Sequence, residues 1–546
     1  MAATRRELVA AFLGATAAAA CKRVESTAAI PGEFADATLN AGHALRGPPL
    51  PRAETDSAVV DALIVGAGAA GLSAGWRLRA AGIDSLLACD VDSTEGGTAQ
   101  SGRNSVSAFP WGAHYLPAPL DASGPVPRLL REMGVLTGVD DSGRPHFAED
   151  ALIHEPEERL FFRGQWYEGL YPRAGANDDD LAQLRRFEEA MRTFARARDG
   201  KGRKAFAVPL EAGSDDAEWT QLDRLSMADW LAEQHFTSPR LRWLVDYACR
   251  DDYGAEAAAI SAWAGIWYFA ARQTGDDTNQ GYLSWPEGNG RLIRHLAESV
   301  GRERLRLEHL VHTVSPVPNS TDWYAHAFDV RTSTPVRLRA RQLVLATPRF
   351  VAARLVEPWR QSPPDFLSAF HSGPWVVANL TVSTPPTGRG FPLAWDNVLY
   401  DSKSLGYVVA THQRLRADTS GPTVLTWYYP ASGVDVKAER QRVFSTSCAE
   451  WQALALADLR PAHPRLRETV QRIDVMRWGH AMVRPVPGFV WGDARRAAQA
   501  SLGALHFAHS DLGGLALFEE ANHHGVRAAE AALTGLGRTV ERWGPR

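Results

Sequence analysis

Gly66-Ala-Gly-Ala-Ala-Gly71 is the first group of residues whose types and spacing could do chemistry. It follows an apolar, β-branched run, Val59–Val65, and opens a helical pattern marked by Leu72, Gly75, Leu78 and Gly82. Gly66 permits a tight turn, Gly68 lets the backbone approach a pyrophosphate, and Gly71 lets helix and strand pack closely. From Ala69 onward the helix start offers free N–H groups and a positive dipole end to phosphates. A second strand, Ser85–Cys89, ends in Asp90, near the ~20-residue spacing at which an acid reaches a ribose hydroxyl. Asp92 is a neighbouring candidate. Gly96-Gly97 supplies a second close backbone approach, and Arg103 can neutralise phosphate charge. Strand, glycine turn, helix, strand and acid together predict a dinucleotide site.

These residues resemble the flavin-containing amine oxidase superfamily, which includes monoamine and polyamine oxidases, protoporphyrinogen oxidase and phytoene desaturase. That group opens with a strand, GxGxxG, an acid and then GG. This chain departs from it in carrying Asp90 where the family mostly has Glu, and Thr98 where many members have Arg. Later blocks continue the resemblance. Leu310–Val314, Trp323–Val330, Pro335–Ala340 and Leu343–Ala346 read as strands, and Ala346-Thr-Pro348 is similar to the tripeptide that closes the family's three-stranded meander. Leu505-His-Phe-Ala-His-Ser-Asp511 is similar to its strand-plus-acid segment, with His509-Ser510 where Gly is usual, and a terminal helix starts at Phe518. The resemblance implies FAD as cofactor. It places Val311 beside the adenine, Asp511 at the ribityl or pyrophosphate part, and the helix from Phe518 against the flavin pyrimidine ring. There its dipole and N–H groups stabilise negative charge.

The fold class expected is α/β. A Rossmann-like FAD-binding domain, parallel sheet plus β-meander, is built from 58–125, 281–349 and 491–540. An interleaved α+β substrate domain is built from 126–280 and 350–490. The first insert reads as mostly helical, with Leu181, Leu184, Phe187, Met191 and Phe194 forming one apolar face over Asp180–Arg198. Ser226 starts another helix as a capping-box variant. The second insert is richer in strands, at Trp375–Val382, Ser404–Gln413 and Thr423–Pro430, as a roof over the flavin would be. The apolar run Ala257–Ala271 is shorter than a membrane span and reads as a buried helix.

Candidates for the reacting face are fewer. His114, in Phe109-Pro-Trp-Gly-Ala-His-Tyr115, could donate to the flavin or substrate, or be satisfied in a domain interface. Trp478 either walls the substrate pocket, where its π-face suits a cationic amine, or fills the core. His480 and Arg484 are nearby candidates, and Trp395-Asp396-Asn397 and Trp427-Tyr428-Tyr429 could also line the pocket. The resemblance implies a lysine holding water at the flavin in many amine oxidases. This chain has five lysines, of which only Lys403 falls in a strand-bearing part of the roof. No metal site is expected, because His523 and His524 are adjacent on a helix and point about 100° apart. No GxSxG elbow or catalytic cysteine context occurs.

Residues 1–21 carry paired Arg5-Arg6, a short apolar run from Leu8 to Ala20, and Cys21. This reads as a twin-arginine export signal, possible membrane tether through a lipidated Cys21 included, followed by a linker over 22–57. A protein so exported would be periplasmic or membrane-anchored. The 546 residues exceed what one core organises, so at least two domains are expected. With 59 basic and 63 acidic residues, no global field recruits nucleic acid. The reading is an FAD oxidoreductase, amine oxidase-like, that passes a hydride equivalent from a small-molecule substrate to flavin N5 and then to oxygen or another acceptor. Two alternatives stand beside it: desaturase- or protoporphyrinogen oxidase-like dehydrogenation of a larger apolar molecule, and a non-catalytic FAD-binding protein.

Overall fold

A computed structural model describes residues 29–544, except 37, 274–280 and 415–419. Arg5, Arg6 and Cys21, the residues of the expected signal, lie outside the described residues. Among the described residues no helix is long and apolar enough to cross a membrane.

The dinucleotide motif sits on a seven-stranded sheet. Its order is Leu305–Arg306, Leu86–Cys89, Ala58–Val65, Thr334–Leu345, Trp323–Asp329 and His309–Pro316, with Leu505–Phe507 joining the end of Thr334–Leu345. Ala58–Val65 is parallel to both neighbours. Its inner residues Ala62, Leu63 and Ile64 are fully buried, because helices and the meander cover both faces. The two runs expected at Pro335–Ala340 and Leu343–Ala346 are one strand, Thr334–Leu345. Its first half pairs antiparallel with the meander, and its last three residues pair parallel with Leu505–Phe507. The polar break at Gln342 is absorbed inside, where its side-chain oxygen meets His506 Nε2 at 2.8 Å.

The roof is a second seven-stranded sheet. It runs Val470–Val483, Ser372–Val382, Thr423–Pro430, Tyr407–Val409, Asp396–Leu399, Glu158–Phe162 and Gln165–Glu168. The last two strands come from the first insert, read from sequence as mostly helical. Glu158–Phe162 pairs parallel with Asp396–Leu399, so its partner lies more than 200 residues away and no local pattern announces it. The expected strand over Ser404–Gln413 shrinks to Tyr407–Val409. The first insert supplies the side helices. Asn177 and Asp180 form a capping box at the start of Asp178–Arg196, and Ser226 accepts the Asp229 N–H at the start of Met227–Glu233. Ala262–Ala270 carries apolar residues all round and is buried, with Trp263 and Trp267 enclosed.

Of the linker expected over 22–57, residues 29–36 and 38–46 are described, and several of them pack against the two sheets. Glu33 and Ala35 exchange backbone hydrogen bonds with Val475 of the roof's edge strand. Leu39–His43 then forms a short helix over the cleft between the two sheets. An unpaired edge strand offers backbone donors and acceptors to any neighbouring chain, and this segment takes them.

Candidate functional site

The glycine turn is held by contact as well as by torsion. Gly66 has φ +105°, and a Cβ there would lie 2.4 Å from the Ala346 carbonyl oxygen. A Cβ on Gly71 would lie 1.8 Å from the Gly66 carbonyl oxygen. Gly68 is different: the nearest protein atom to its Cβ position is 3.8 Å away, so that face is open. Gly68 caps Ala69–Ala80 without a side chain, which leaves the first-turn N–H groups free. The helix Phe518–Gly535 also starts without a side-chain cap. Leu517, Phe518 and Ala521 face the same cleft as Gly68 and Ala69. Two uncapped helix starts thus converge on one cavity of about 720 Å³, within the ~300–1,000 Å³ usual for small-molecule sites. The donors, the open glycine and the volume fit a dinucleotide.

Gly66, Gly68, Ala69, Asp90, Gly96, Gly97, Val311, Phe518, Trp478 and His480 all border this cavity. Both Asp90 oxygens are engaged by backbone: Oδ2 accepts the Ala67 N–H at 2.6 Å and Oδ1 accepts the Asp92 N–H at 2.9 Å. Asp90 therefore pins the glycine turn to the end of its strand. The neighbouring Asp92 borders the cavity too, accepts from Gln100 Nε2 at 2.9 Å and from the Thr38 hydroxyl, and is pushed up to about 6 by burial and then by the Asp90 charge. Gly71 does not border the cavity; its part is the close packing beneath it.

Three expected residues sit elsewhere. Arg103 is exposed on the short strand Ser101–Arg103 and does not border the cavity; Arg46, Arg354, Arg440 and Arg477 border it instead, together with the helix N–H groups. Asp511 is turned inward: Oδ2 accepts the Arg349 N–H at 2.9 Å and Oδ1 lies 3.0 Å from His509 Nδ1. His509 and Ser510 border the cavity in its place. His114 stacks on Tyr428 at 4.6 Å and lies 5.4 Å from Trp395. Burial pushes its pKa down to about 3, against a hydrogen bond to the Gly112 backbone, so it stays neutral with its donor engaged. His480 borders the cavity as a neutral ring, stacked on Phe350 at 3.8 Å with Nδ1 2.7 Å from the Ser372 hydroxyl. Burial and then Arg440 bring its pKa to about 3. Trp478 borders the cavity while Nε1 donates to the Trp111 carbonyl at 2.7 Å. Arg484 is buried against the Gly254 carbonyl at 2.7 Å, and Lys403 is exposed. Adjacent His523 and His524 do converge, within 4.8 Å of each other and of Glu211, because long side chains close the angle between them. His523 Nε2 is 2.8 Å from Glu211, whose other oxygen lies 3.7 Å from Arg527.

Next to the cavity lies a constellation that spacing along the chain did not reveal. Ala113 borders the cavity, and the residues after it, His114 and Tyr115, turn the other way into an acidic, aromatic chamber. Asp251 and Asp252 enter from the helix Pro239–Tyr253, Asp396 and Glu158 from paired roof strands, and Arg272 from beyond Ala262–Ala270. Tyr268 donates to Asp251, Tyr115 to Asp252 and Tyr247 to Asp396, each at 3.4 Å. Arg272 Nη2 meets Asp252 at 2.6 Å. Tyr115 lies 5.1 Å from Tyr282 and 6.0 Å from Trp395. Asp251, Asp396, Glu158 and Tyr115 still touch solvent-sized space, yet desolvation dominates each of them, as expected of an internal chamber. Burial, then the Asp252 charge, pushes Asp251 up to about 7. Burial, then Glu157, takes Glu158 to about 7. Asp396 is held well above the carboxylate range by burial, then by Asp251 and Glu158. Arg272 is the charge that opposes Asp252, and it is already paired there.

Over residues 69–533 the sequence matches the family described as flavin containing amine oxidoreductase. The chain belongs to this family. It is an FAD-dependent oxidoreductase, and the cleft just described is where its residues suit FAD. No curated protein matches the sequence. Wild-type putrescine oxidase bound to putrescine is similar in fold at TM-score 0.64 and 19% identity, covering 87% of this chain and 99% of that one. Cyclohexylamine oxidase from Brevibacterium oxydans IH-35A gives TM-score 0.62 at 17% identity, covering 88% and 100%. A CLA-producing fatty acid isomerase from P. acnes gives 0.59 at 15%, covering 86% and 97%. Likeness at these identities concerns the fold; the reaction has to be argued from the site.

Proposed function

We propose that the protein oxidises an amine that enters as a cation. The observation that carries this is the chamber, where Asp251, Asp252, Asp396 and Glu158 face aromatic rings with Arg272 committed to Asp252. An incoming ammonium offers the counter-charge that these acids, raised first by burial and then by one another, lack. The rings of Tyr115, Trp395 and Tyr428 offer apolar and π surface for its carbon skeleton. A carboxylate-bearing or wholly apolar substrate would meet several buried acids with no compensation.

FAD, when bound, supplies acceptance of a hydride equivalent from the substrate carbon. The chain's own residues hold and prepare the substrate. An ammonium resists oxidation because its nitrogen lone pair is protonated, so a proton has to leave. Asp251, held near 7, is poised to take it, and the Tyr268 hydroxyl then lies within reach of the protonated acid. Tyr428 donates to the Gly112 carbonyl at 2.9 Å and Trp478 to that of Trp111, so the wall between chamber and cleft is fixed from the roof. Flavin bleaching in an anaerobic series tests the reading. Primary and secondary alkylamines should bleach it, and isosteric alcohols and fatty acids should not. Bleaching by a neutral or anionic compound and by no amine would overturn it. We also propose export of the folded holoprotein through Arg5-Arg6, with Cys21 as membrane tether and oxygen or another carrier as acceptor. The paired arginines, short apolar run and terminal small residues support it.

A further inference from the structure

We infer that Asp36 and residues 38–46, which precede the family-matched residues, are part of the cofactor site: they strap the dinucleotide cleft shut from outside. The inference rests on FAD occupying that cleft.

The segment bridges the two lips of the cavity. On the roof side, Glu33 and Ala35 form a backbone ladder with Val475, at 2.9 and 2.8 Å. The Phe34 ring lies under the Arg477 guanidinium at 3.5 Å, and Asp36 takes that guanidinium at 2.8 and 3.2 Å. The Asp36 and Arg477 side chains are only 9% and 12% exposed, so this pair is a firm anchor rather than a surface contact. On the dinucleotide side, the Thr38 hydroxyl donates to Asp92, two residues after the strand-end acid. Beyond these anchors the short helix Leu39–His43 runs along the border of the cavity, with His43 edge-on to Phe444 at 5.7 Å.

What lies under the strap is the cavity itself. Thr38, Leu39, His43 and Arg46 border it from one side, and Gly68 and Gly97 border it from the other. A dinucleotide on the open glycine face would therefore touch the strap, and Asp92 would be shared between the cofactor edge and Thr38. Release of FAD along this side requires the Asp36–Arg477 pair and the Thr38 bond to break first. The occupant has to be in place before the strap docks, or the strap has to lift to admit it.

The test is the rate at which flavin leaves the purified yellow protein, followed by the rise of free-flavin fluorescence on dilution. Asp36→Ala combined with Thr38→Val should speed release by at least about tenfold, because two anchors on opposite lips are lost. The Arg465→Ala change, at an exposed pair with Glu468 far from the cleft, should leave the rate unchanged. Should the double variant fold poorly, wild-type protein gives a second readout. Trypsin should cut after Arg46 more slowly in the holoprotein than after the flavin has been stripped. Equal release from the wild type and the double variant, or equal cutting with and without flavin, would overturn the strap while leaving FAD in place. A wild-type protein that retains no flavin would instead overturn the assignment of the cleft.

Discussion

Replacing Asp251 by Asn isolates the charge of the chamber from its shape. The amide keeps an oxygen to accept from Tyr268, whose hydroxyl is 3.4 Å from the carboxylate, and changes little volume. An ammonium within about 6 Å of an ionised Asp251 gains about 3 kcal/mol at an effective dielectric near 20. That corresponds to about a hundredfold in affinity. The full effect requires an ionised carboxylate. Because burial and Asp252 push Asp251 up to about 7, amine affinity should rise as pH rises through that value. An alkylammonium keeps its own charge over the same range, as lysine does. Stability runs the other way. The folded pKa lies above the unfolded one, so the contribution is complete below about pH 4 and is lost as pH rises toward about 7. A bound amine should then raise Tm more at about pH 8 than at about pH 6. The assay is amine Kd from flavin spectral perturbation, with the anaerobic reduction rate against amine concentration, across that pH range. Asp251→Asn should weaken binding about a hundredfold at the alkaline end and flatten the pH dependence. Wild-type affinity in the Asn variant, or wild-type affinity indifferent to pH, would refute the reasoning.

Gly68 and Gly71 should separate binding from folding. Gly68→Val should melt like the wild type once flavin is removed, yet fail to retain FAD in equilibrium dialysis, because its face is open to the ligand alone. Gly71→Ala should lower Tm or prevent folding, at a cost of about 3 kcal/mol, since its Cβ has no room against the Gly66 carbonyl. Trp478→Ala should keep FAD bound and slow flavin reduction by substrate by about 2- to 30-fold. Its Tm loss should match about 1–2 kcal/mol for one hydrogen bond and a half-buried ring; a stable variant reduced at the wild-type rate removes it from the site. Arg5→Lys with Arg6→Lys should leave a yellow precursor in the cytoplasm by fractionation, and unchanged export would reject the twin-arginine proposal.

The sequence by itself determined the dinucleotide turn, because each glycine answers a local demand of backbone shape and its neighbours lie within one strand–turn–helix unit. Thr423–Pro430, the meander and the terminal helix from Phe518 were legible for the same reason: alternation and helical period are properties of short windows. Trp395, Asp396 and Tyr428 stood out by residue type alone, and the fold sets them beside His114 and Tyr247. The roof's last two strands were not legible, since Glu158–Phe162 is a strand by virtue of a parallel partner at Asp396–Leu399. Tertiary structure alone decided the chamber. Tyr115, Glu158, Asp251, Asp252, Arg272 and Asp396 come from separate segments, and nothing in the spacing of Asp251-Asp252 distinguishes them from a solvated acidic pair until the fold buries them together. It likewise decided that Asp90 holds the turn, that Glu33 and Ala35 pair with the roof's edge strand, and that Thr38, Leu39 and His43 border the cleft. Proximity between residues distant in the chain is set by packing, and packing sets the desolvation and charge coupling from which a site's chemistry follows.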